Sequence, residues 1–284
     1  MKSKSDLYSL VSVAMKAGRQ ASAAIMGIYV TPFDYEDKAD GSPITLADRR
    51  SNDILTKALT ATGIPVISEE TRIEDYALRK PWEYFWLVDP LDGTKEFISR
   101  NGEFAINIGL MYRNRPIAGV ILAPVKGEAW WGIVGDGAYK LENLNLAEEI
   151  TVESLLSHSS ILKPSPSKKS IAISVSRSHM EEQTQGLIEQ IGKQMGQVKL
   201  IGKGSALKFG DLAEGWSDLY IRYSPTWEWD TAAGHAILLA QGGEVFHITR
   251  HTPFTYNKEM LNNPGFIAFA RKEDSIRYFS DLTF

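Results

Sequence analysis

The sequence predicts a mixed chain, an N-terminal α+β half followed by a C-terminal α/β half. Three observations predict it. Two stretches of helical period open the chain, one of them apolar enough to pack along a full stripe. A run of apolar, strand-like segments separated by short turns occupies residues 104 to 134. After residue 170, apolar segments of strand length alternate with segments of helical period, which is the pattern of an α/β unit. The 284 residues suit about two domains. Composition shifts between residues 141 and 170, a polar stretch ending in Lys163-Pro164-Ser165-Pro166-Ser167-Lys168-Lys169, which reads as a linker or exposed loop. We divide the chain into residues 1–155 and 156–284.

Each element has its reason. Leu7, Leu10, Val11, Ala14, Gly18, Ala21, Ile25 and Ile28 fall on one helical stripe, with Asp6, Lys16, Arg19 and Gln20 off it. Lys16 and Arg19 interrupt the apolar core that a signal peptide requires, and a membrane span needs about 20 mostly apolar residues. The expectation is a packed helix with no transmembrane segment. The expected location is the cytoplasm, with a peripheral place on the inner membrane as the alternative. A polar loop, Thr31 to Pro43, leads to a second helix over 47–61, opened near Thr45 and Asp48 and stopped by Gly63. Ile64 to Ile67 and Tyr84 to Val88 read as buried strands, followed by strands over 104–111, 117–123 and 129–134. The alternation then predicts strands at 171–176, 198–201 and 219–223, and helices at 181–195, 206–214 and 231–241.

Composition excludes whole classes of chemistry. With no cysteine there is no disulfide framework, thiolate metal site, iron–sulfur cluster or cysteine nucleophile. Thirty-one basic against 35 acidic residues give a net charge of −4, so no basic face for duplex nucleic acid or an anionic membrane is expected. At 43% hydrophobic and 23% charged, the chain lies in the ordinary globular range.

The acids are placed suggestively. Glu69 and Glu70 follow one predicted strand, Asp89 and Asp92 follow another, and Asp48 and Asp230 open helices. Carboxylates gathered at the mouth of a sheet repel one another, and an all-oxygen ligand set suits a hard cation such as Mg²⁺, which shares its coordination with substrate phosphates. In Asp89-Pro90-Leu91-Asp92-Gly93-Thr94, Pro90 sets a turn, and the two carboxylates with the Leu91 carbonyl can reach one cation. Gly93 admits close backbone approach, and free N–H groups at a helix start near Thr94 favour phosphate. Taken singly, these features are equally well caps and turns. Nothing in the sequence alone brings Glu69, Asp89 and Asp230 together.

Asp89-Pro90-Leu91-Asp92-Gly93-Thr94 resembles the Asp-Pro-hydrophobic-Asp-Gly-Thr motif of the lithium-sensitive, magnesium-dependent phosphomonoesterases, the inositol monophosphatase superfamily. The second motif of that superfamily is matched by Trp229-Asp230-Thr231-Ala232-Ala233 with Gly242-Gly243, and its Glu-Glu pair by Glu69-Glu70. Lys95-Glu96-Phe97 after the first motif, together with Ser176-Arg177-Ser178-His179 and Gly204-Ser205-Ala206-Leu207-Lys208-Phe209, is similar to the bacterial 3′(2′),5′-bisphosphate nucleotidase branch. The resemblance implies a layered α/β/α/β/α sandwich.

It also implies site roles. Glu69, Asp89, the Leu91 carbonyl, Asp92 and Asp230 would hold two Mg²⁺ ions, with Asp48 near a third. Gly93 and Thr94 would bind phosphate through backbone N–H groups, and Asp48 with Thr94 would position a metal-activated water. Glu69 would join Asp48 and Thr94 as a catalytic residue, and Glu69, Leu91, Asp92 and Asp230 would also face the substrate. Lys208 and Arg222 are candidates for the 5′-phosphate, and Ser176, His179 and Ser205 for ribose or base. The implied activity is hydrolysis of adenosine 3′,5′-bisphosphate to AMP and phosphate, with the sulfated nucleotide as a second substrate, a place in sulfur metabolism and inhibition by lithium. An inositol monophosphatase or broader sugar-phosphate phosphatase is the alternative enzyme. A catalytically silent nucleotide-sensing protein is the alternative of another class. The expected partner is a small phosphorylated nucleotide; monomer and homodimer both stay open.

Overall fold

The computed structural model describes residues 2–38, 41–144, 149–163, 170–177 and 180–281. Helix α1 (Lys4–Tyr29) buries the predicted stripe at Leu7, Val11, Ala14, Gly18, Ala21, Ile25 and Ile28. Its N-terminus is capped reciprocally by Ser3 and Asp6. The polar loop contains an antiparallel hairpin, β1 (Tyr35–Asp37) and β2 (Pro43–Thr45). Helix α2 (Leu46–Thr60) starts one residue before the predicted span, and Thr45 with Asp48 forms its capping box. After β3 (Val66–Ser68) and the short α3 (Tyr76–Arg79) comes β4 (Tyr84–Asp92).

Strand β4 departs from expectation. The sequence suggests an end at Val88 with a turn at Pro90. The strand instead runs to Asp92, with a register shift between Asp89 and Asp92. Pro90 has no N–H to give the ladder, and a bulge is where a strand accommodates that. Helix α4 (Thr94–Ile98) follows directly, from Gly93 at φ +93°. The next three predicted strands are β5 (Ala105–Tyr112), β6 (Arg115–Ala123) and β7 (Glu128–Ile133). Strand β8 (Gly137–Leu141), helix α5 (Val152–His158) and strand β9 (Ser159–Ile161) complete this part. Strands β3 to β9 form one sheet in chain order, antiparallel except for β3 with β4. Because β9 pairs with β8, the first sheet reaches Ile161, beyond residue 155. The Pro/Ser/Lys run at 164–169 lies outside the described residues.

The predicted alternation then appears as β10 (Ile171–Ser176), α6 (Glu182–Met195), β11 (Val198–Lys203), α7 (Leu207–Ala213) and β12 (Leu219–Arg222). A two-residue strand β13 (Thr226–Trp227) leads into α8 (Glu228–Ala240), which begins earlier than predicted, so Asp230 lies in its first turn. Strands β14 (Glu244–His247), β15 (Asn262–Asn263) and β16 (Phe266–Phe269) and helix α9 (Asp274–Asp281) follow. The second sheet has the order β11-β10-β12-β16-β14. Its first three strands are parallel, and β16 runs against both neighbours, so this half is mixed rather than purely alternating.

Three apolar clusters define five layers. Helices α1 and α2 cover one face of the first sheet, with Val11, Leu55 and Leu59 against Trp86, Ile108 and Trp131. Helices α7 and α8 lie between the sheets, where Phe209 and Ile237 join Phe85 and Trp130 on one side and Tyr220 and Phe266 on the other. On the outer face of the second sheet, Leu187 and Ile191 of α6 and Tyr278 of α9 pack on Ile173 and Phe269. The α/β/α/β/α sandwich is therefore observed. Gly109, Gly119 and Gly132, cross-strand neighbours on β5, β6 and β7, let α8 settle directly on the first sheet. A Cβ on Gly119 would lie 2.3 Å from the Ala233 carbonyl oxygen, and one on Gly109 would lie 2.9 Å from the Ala232 Cβ. This close seating fixes the start of α8, and hence Asp230, relative to the first sheet. Among the described residues, no helix is long and apolar enough to cross a membrane.

Candidate active site

Three elements from both halves of the chain bring carboxylates to one point. Glu69 follows β3, where its N–H donates to the Val88 carbonyl of β4 (3.2 Å). Asp89 lies on β4 just before the bulge and accepts from the Leu91 N–H (3.0 Å). Asp230, in the first turn of α8, accepts from the Trp227 N–H (2.8 Å). One carboxylate oxygen from each of Glu69, Asp89 and Asp230 lies within 4.8 Å of the other two. Asp92 is held beside them: its Oδ2 accepts from Asn107 Nδ2 of β5 (3.1 Å) and from the Ala206 N–H (2.6 Å). Asp48 sits alongside, its Oδ2 engaged by Thr45 (2.7 Å from N, 2.5 Å from Oγ1), while its Oδ1 accepts from the Thr94 hydroxyl (3.0 Å).

These acids strain one another. Burial pushes Asp89 well above the usual carboxylate range, and the charges of Glu69, Asp92 and Asp230 push it further. Burial and Asp92 raise Asp230 to about 8. Asp92 is raised by burial, although Lys208 and its hydrogen bonds oppose this. Burial also raises Asp48, against its bonds from Thr45 and Thr94. Two unit charges 4 Å apart repel by about 4 kcal/mol at an effective dielectric of 20. Clustered, ionisable oxygen donors in a chain without thiolates fit a hard divalent cation.

One cation of the chain already faces the cluster. The Lys38 ammonium, after β1, lies 2.7 Å from Glu69 Oε1 and 2.5 Å from Glu70 Oε1. Burial alone would lower its pKa, but the two glutamates outweigh that and raise it. The sequence reading missed Lys38, which sits in a polar loop with nothing to mark it. It also missed Asn107, whose signal was available: an amide in the middle of an otherwise apolar strand requires a polar partner.

The substrate-side candidates fall in different places. Arg222 ends β12, where its charge is felt by Asp92 and Asp230, and its Nε donates to Ser224 (3.1 Å). Ser176 ends β10 and is buried. Lys208 is fully buried in α7 rather than solvated, and its ammonium donates to the carbonyls of Lys203 (3.0 Å) and Ser205 (2.6 Å). Burial and the neighbouring Arg222 lower its pKa to about 8. It thereby secures Ser205, a non-glycine residue at φ +47°, immediately before the Ala206 N–H that meets Asp92. Glu103 ties the same loop down, accepting from the Gly204 N–H (2.8 Å) and from Arg177 Nε (2.9 Å). His179 lies outside the described residues.

Known proteins resemble this chain over most of its length. Residues 6–276 match the model of the inositol monophosphatase family. The 3′(2′),5′-bisphosphate nucleotidase CysQ of Shigella flexneri is 40% identical over 253 residues, covering 87% of this chain and 94% of that protein. CysQ of Escherichia coli K12 is 39% identical over the same shares. The crystal structure of CysQ from Bacteroides thetaiotaomicron, a bacterial member of the family, superposes with a TM-score of 0.83 at 42% identity, covering 92% of this chain and 96% of that one. The inositol monophosphatase from Anabaena shares the fold with a TM-score of 0.72 at 21% identity, over 98% of each chain.

Proposed function

This chain belongs to the inositol monophosphatase family, and we propose that it is a Mg²⁺-dependent 3′(2′),5′-bisphosphate nucleotidase that hydrolyses adenosine 3′,5′-bisphosphate to AMP and phosphate. The sulfated nucleotide is a second substrate in this reading. The observation that carries it is the convergence of Glu69, Asp89 and Asp230 within 4.8 Å, beside the hydrogen-bonded pair Asp48 and Thr94. The similarity to CysQ proteins over most of the chain supports the choice of substrate.

Glu69, Asp89, Asp92, Asp230 and the Leu91 carbonyl are the groups to hold two Mg²⁺ ions, with Asp48 placed for a third. Bound there, the cations offset the carboxylate repulsion, stabilise charge developing on the phosphoryl oxygens and make water more acidic. The chain's own residues position the reaction. The backbone N–H and the hydroxyl of Thr45 both donate to Asp48 Oδ2, which leaves Oδ1 to accept a hydrogen bond from the Thr94 hydroxyl. With its proton so directed, Thr94 Oγ1 keeps a lone pair to accept from the attacking water and orient it towards phosphorus. Gly93 and Thr94 present backbone N–H groups to the phosphate at the start of α4. Arg222 supplies a planar fork suited to a second phosphate. Lys208, whose donors are turned to the backbone, acts by positioning the Ser205 loop.

Phosphate release from adenosine 3′,5′-bisphosphate and from inositol 1-phosphate, at equal concentration with Mg²⁺, tests the reading. A clear preference for the bisphosphate is expected. A preference for inositol phosphate would overturn the substrate assignment while leaving the phosphatase intact.

A further inference from the structure

A large aromatic residue stands exposed three positions before Asp230 of the carboxylate cluster and bonds to it through its backbone N–H. Trp227 is 45% exposed, with its backbone hydrogen-bonded and its ring backed on one face. Its indole stacks on the buried Trp229, with ring centroids 5.2 Å apart and planes within 11°. Its N–H donates to Asp230 Oδ2 (2.8 Å), its carbonyl accepts from Asn263 Nδ2 (2.9 Å), and it pairs with Asn262 in the β13–β15 ribbon. Asn263 is bonded in turn to Thr226 and Thr231, so the ribbon and the first turn of α8 form one rigid piece.

The alternation Thr226-Trp227-Glu228-Trp229 explains the arrangement. Thr226 and Glu228 are buried, the latter bonded to the N–H groups of Asn257 and Lys258 (2.6 and 3.0 Å). Trp227 is thereby turned outward, and the helical turn that begins at Glu228 brings Trp229 beneath it. An indole left in water forfeits the burial that an aromatic ring ordinarily gains. Here it is also pre-ordered, so a planar ligand stacking on it would lose little further side-chain freedom.

Resting on the nucleotidase reading above, we infer that Trp227 is the stacking platform for the aromatic base of the substrate nucleotide. The Trp227 N–H bond to Asp230 ties this platform to a carboxylate that holds the reacting phosphate's cations. Stacking recognises the π-face common to all bases, so it distinguishes nucleotides from base-free phosphate esters rather than one base from another.

The test compares KM for adenosine 3′,5′-bisphosphate with KM for β-glycerophosphate, which has no base, in the wild type and in Trp227→Ala, Trp227→Leu and Trp227→Phe. Calorimetric titration with AMP gives the corresponding affinities. In the Ala and Leu variants, the ratio of the bisphosphate KM to the β-glycerophosphate KM should rise about tenfold, with a matching loss of AMP affinity, and Phe should restore most of both. The Leu variant keeps apolar cover over Trp229 in case Ala does not fold. If the wild type prefers the bisphosphate and the ratio is insensitive to residue 227, the inference falls alone. If the wild type shows no preference for the nucleotide, the reading beneath it falls too.

Discussion

Replacing Asp230 by asparagine should stabilise the cation-free protein. The unfolded carboxyl titrates near 3.8, and the folded one is raised to about 8 by burial and by Asp92. Between those values the folded chain holds a proton that the unfolded chain has released. Stability is therefore fully present below pH 3.8 and is lost as the pH rises towards about 8. Each unit is worth about 1.4 kcal/mol, which amounts to about 4 kcal/mol at pH 7. Asp230 keeps some contact with solvent, and screening reduces this to about 2 kcal/mol. Asparagine retains an oxygen for the Trp227 N–H, so the substitution removes the need to take up a proton on folding and keeps the bond. Thermal melts in chelator at about pH 7 should show Asp230→Asn melting about 4–8 °C above the wild type. Mg²⁺ at a hundred times Kd should stabilise the wild type by about 2.7 kcal/mol, raising its melting temperature, and stabilise the variant much less. A variant that melts at or below the wild type in chelator, and that still responds fully to Mg²⁺, would refute the electrostatic account of the site.

Two further predictions concern the scaffold. Gly119→Ala places a Cβ 2.3 Å from the Ala233 carbonyl oxygen, where only backbone movement can relieve the clash; chemical denaturation should show a loss of about 3 kcal/mol or more, and an unchanged midpoint would mean α8 is not so closely seated. Burial would raise Glu244, but His235 Nε2 at 2.5 Å and Arg115 at 2.9 Å outweigh it and bring its pKa to about 2. That stability is present above about pH 4.5 and is lost as the pH falls towards about 2, so Glu244→Gln should flatten the fall in melting temperature on acidification, and a parallel fall in both proteins would contradict the assignment.

What the sequence reveals and conceals follows from how local each feature is. Asp89, Asp92 and Thr94 lie within six residues, and Thr45 and Asp48 within four, so their chemistry is written in short motifs. Strongly patterned elements such as α1 and β10 are legible for the same reason. The meeting of Glu69 and Asp230 is not local: it depends on α8 crossing the first sheet over Gly109, Gly119 and Gly132, and only the motif resemblance anticipates it. Strands β8, β9, β14 and β16 are short, and tertiary pairing rather than periodicity makes them strands. Lys208 shows the limit most plainly: it is a polar residue on a helix whose burial comes from elements distant in sequence, and two backbone carbonyls satisfy it there.

Phosphate release by Asp92→Asn with saturating Mg²⁺ asks whether the carboxylate cluster carries the catalysis. The substitution removes one ligand charge and leaves an acceptor for Asn107 and the Ala206 N–H, so the local hydrogen bonds survive. A fall in kcat of about a thousandfold or more on adenosine 3′,5′-bisphosphate is expected, with the fold intact by circular dichroism. A variant that turns over at near wild-type rate would contradict it, because the carboxylate cluster would then not be the seat of catalysis.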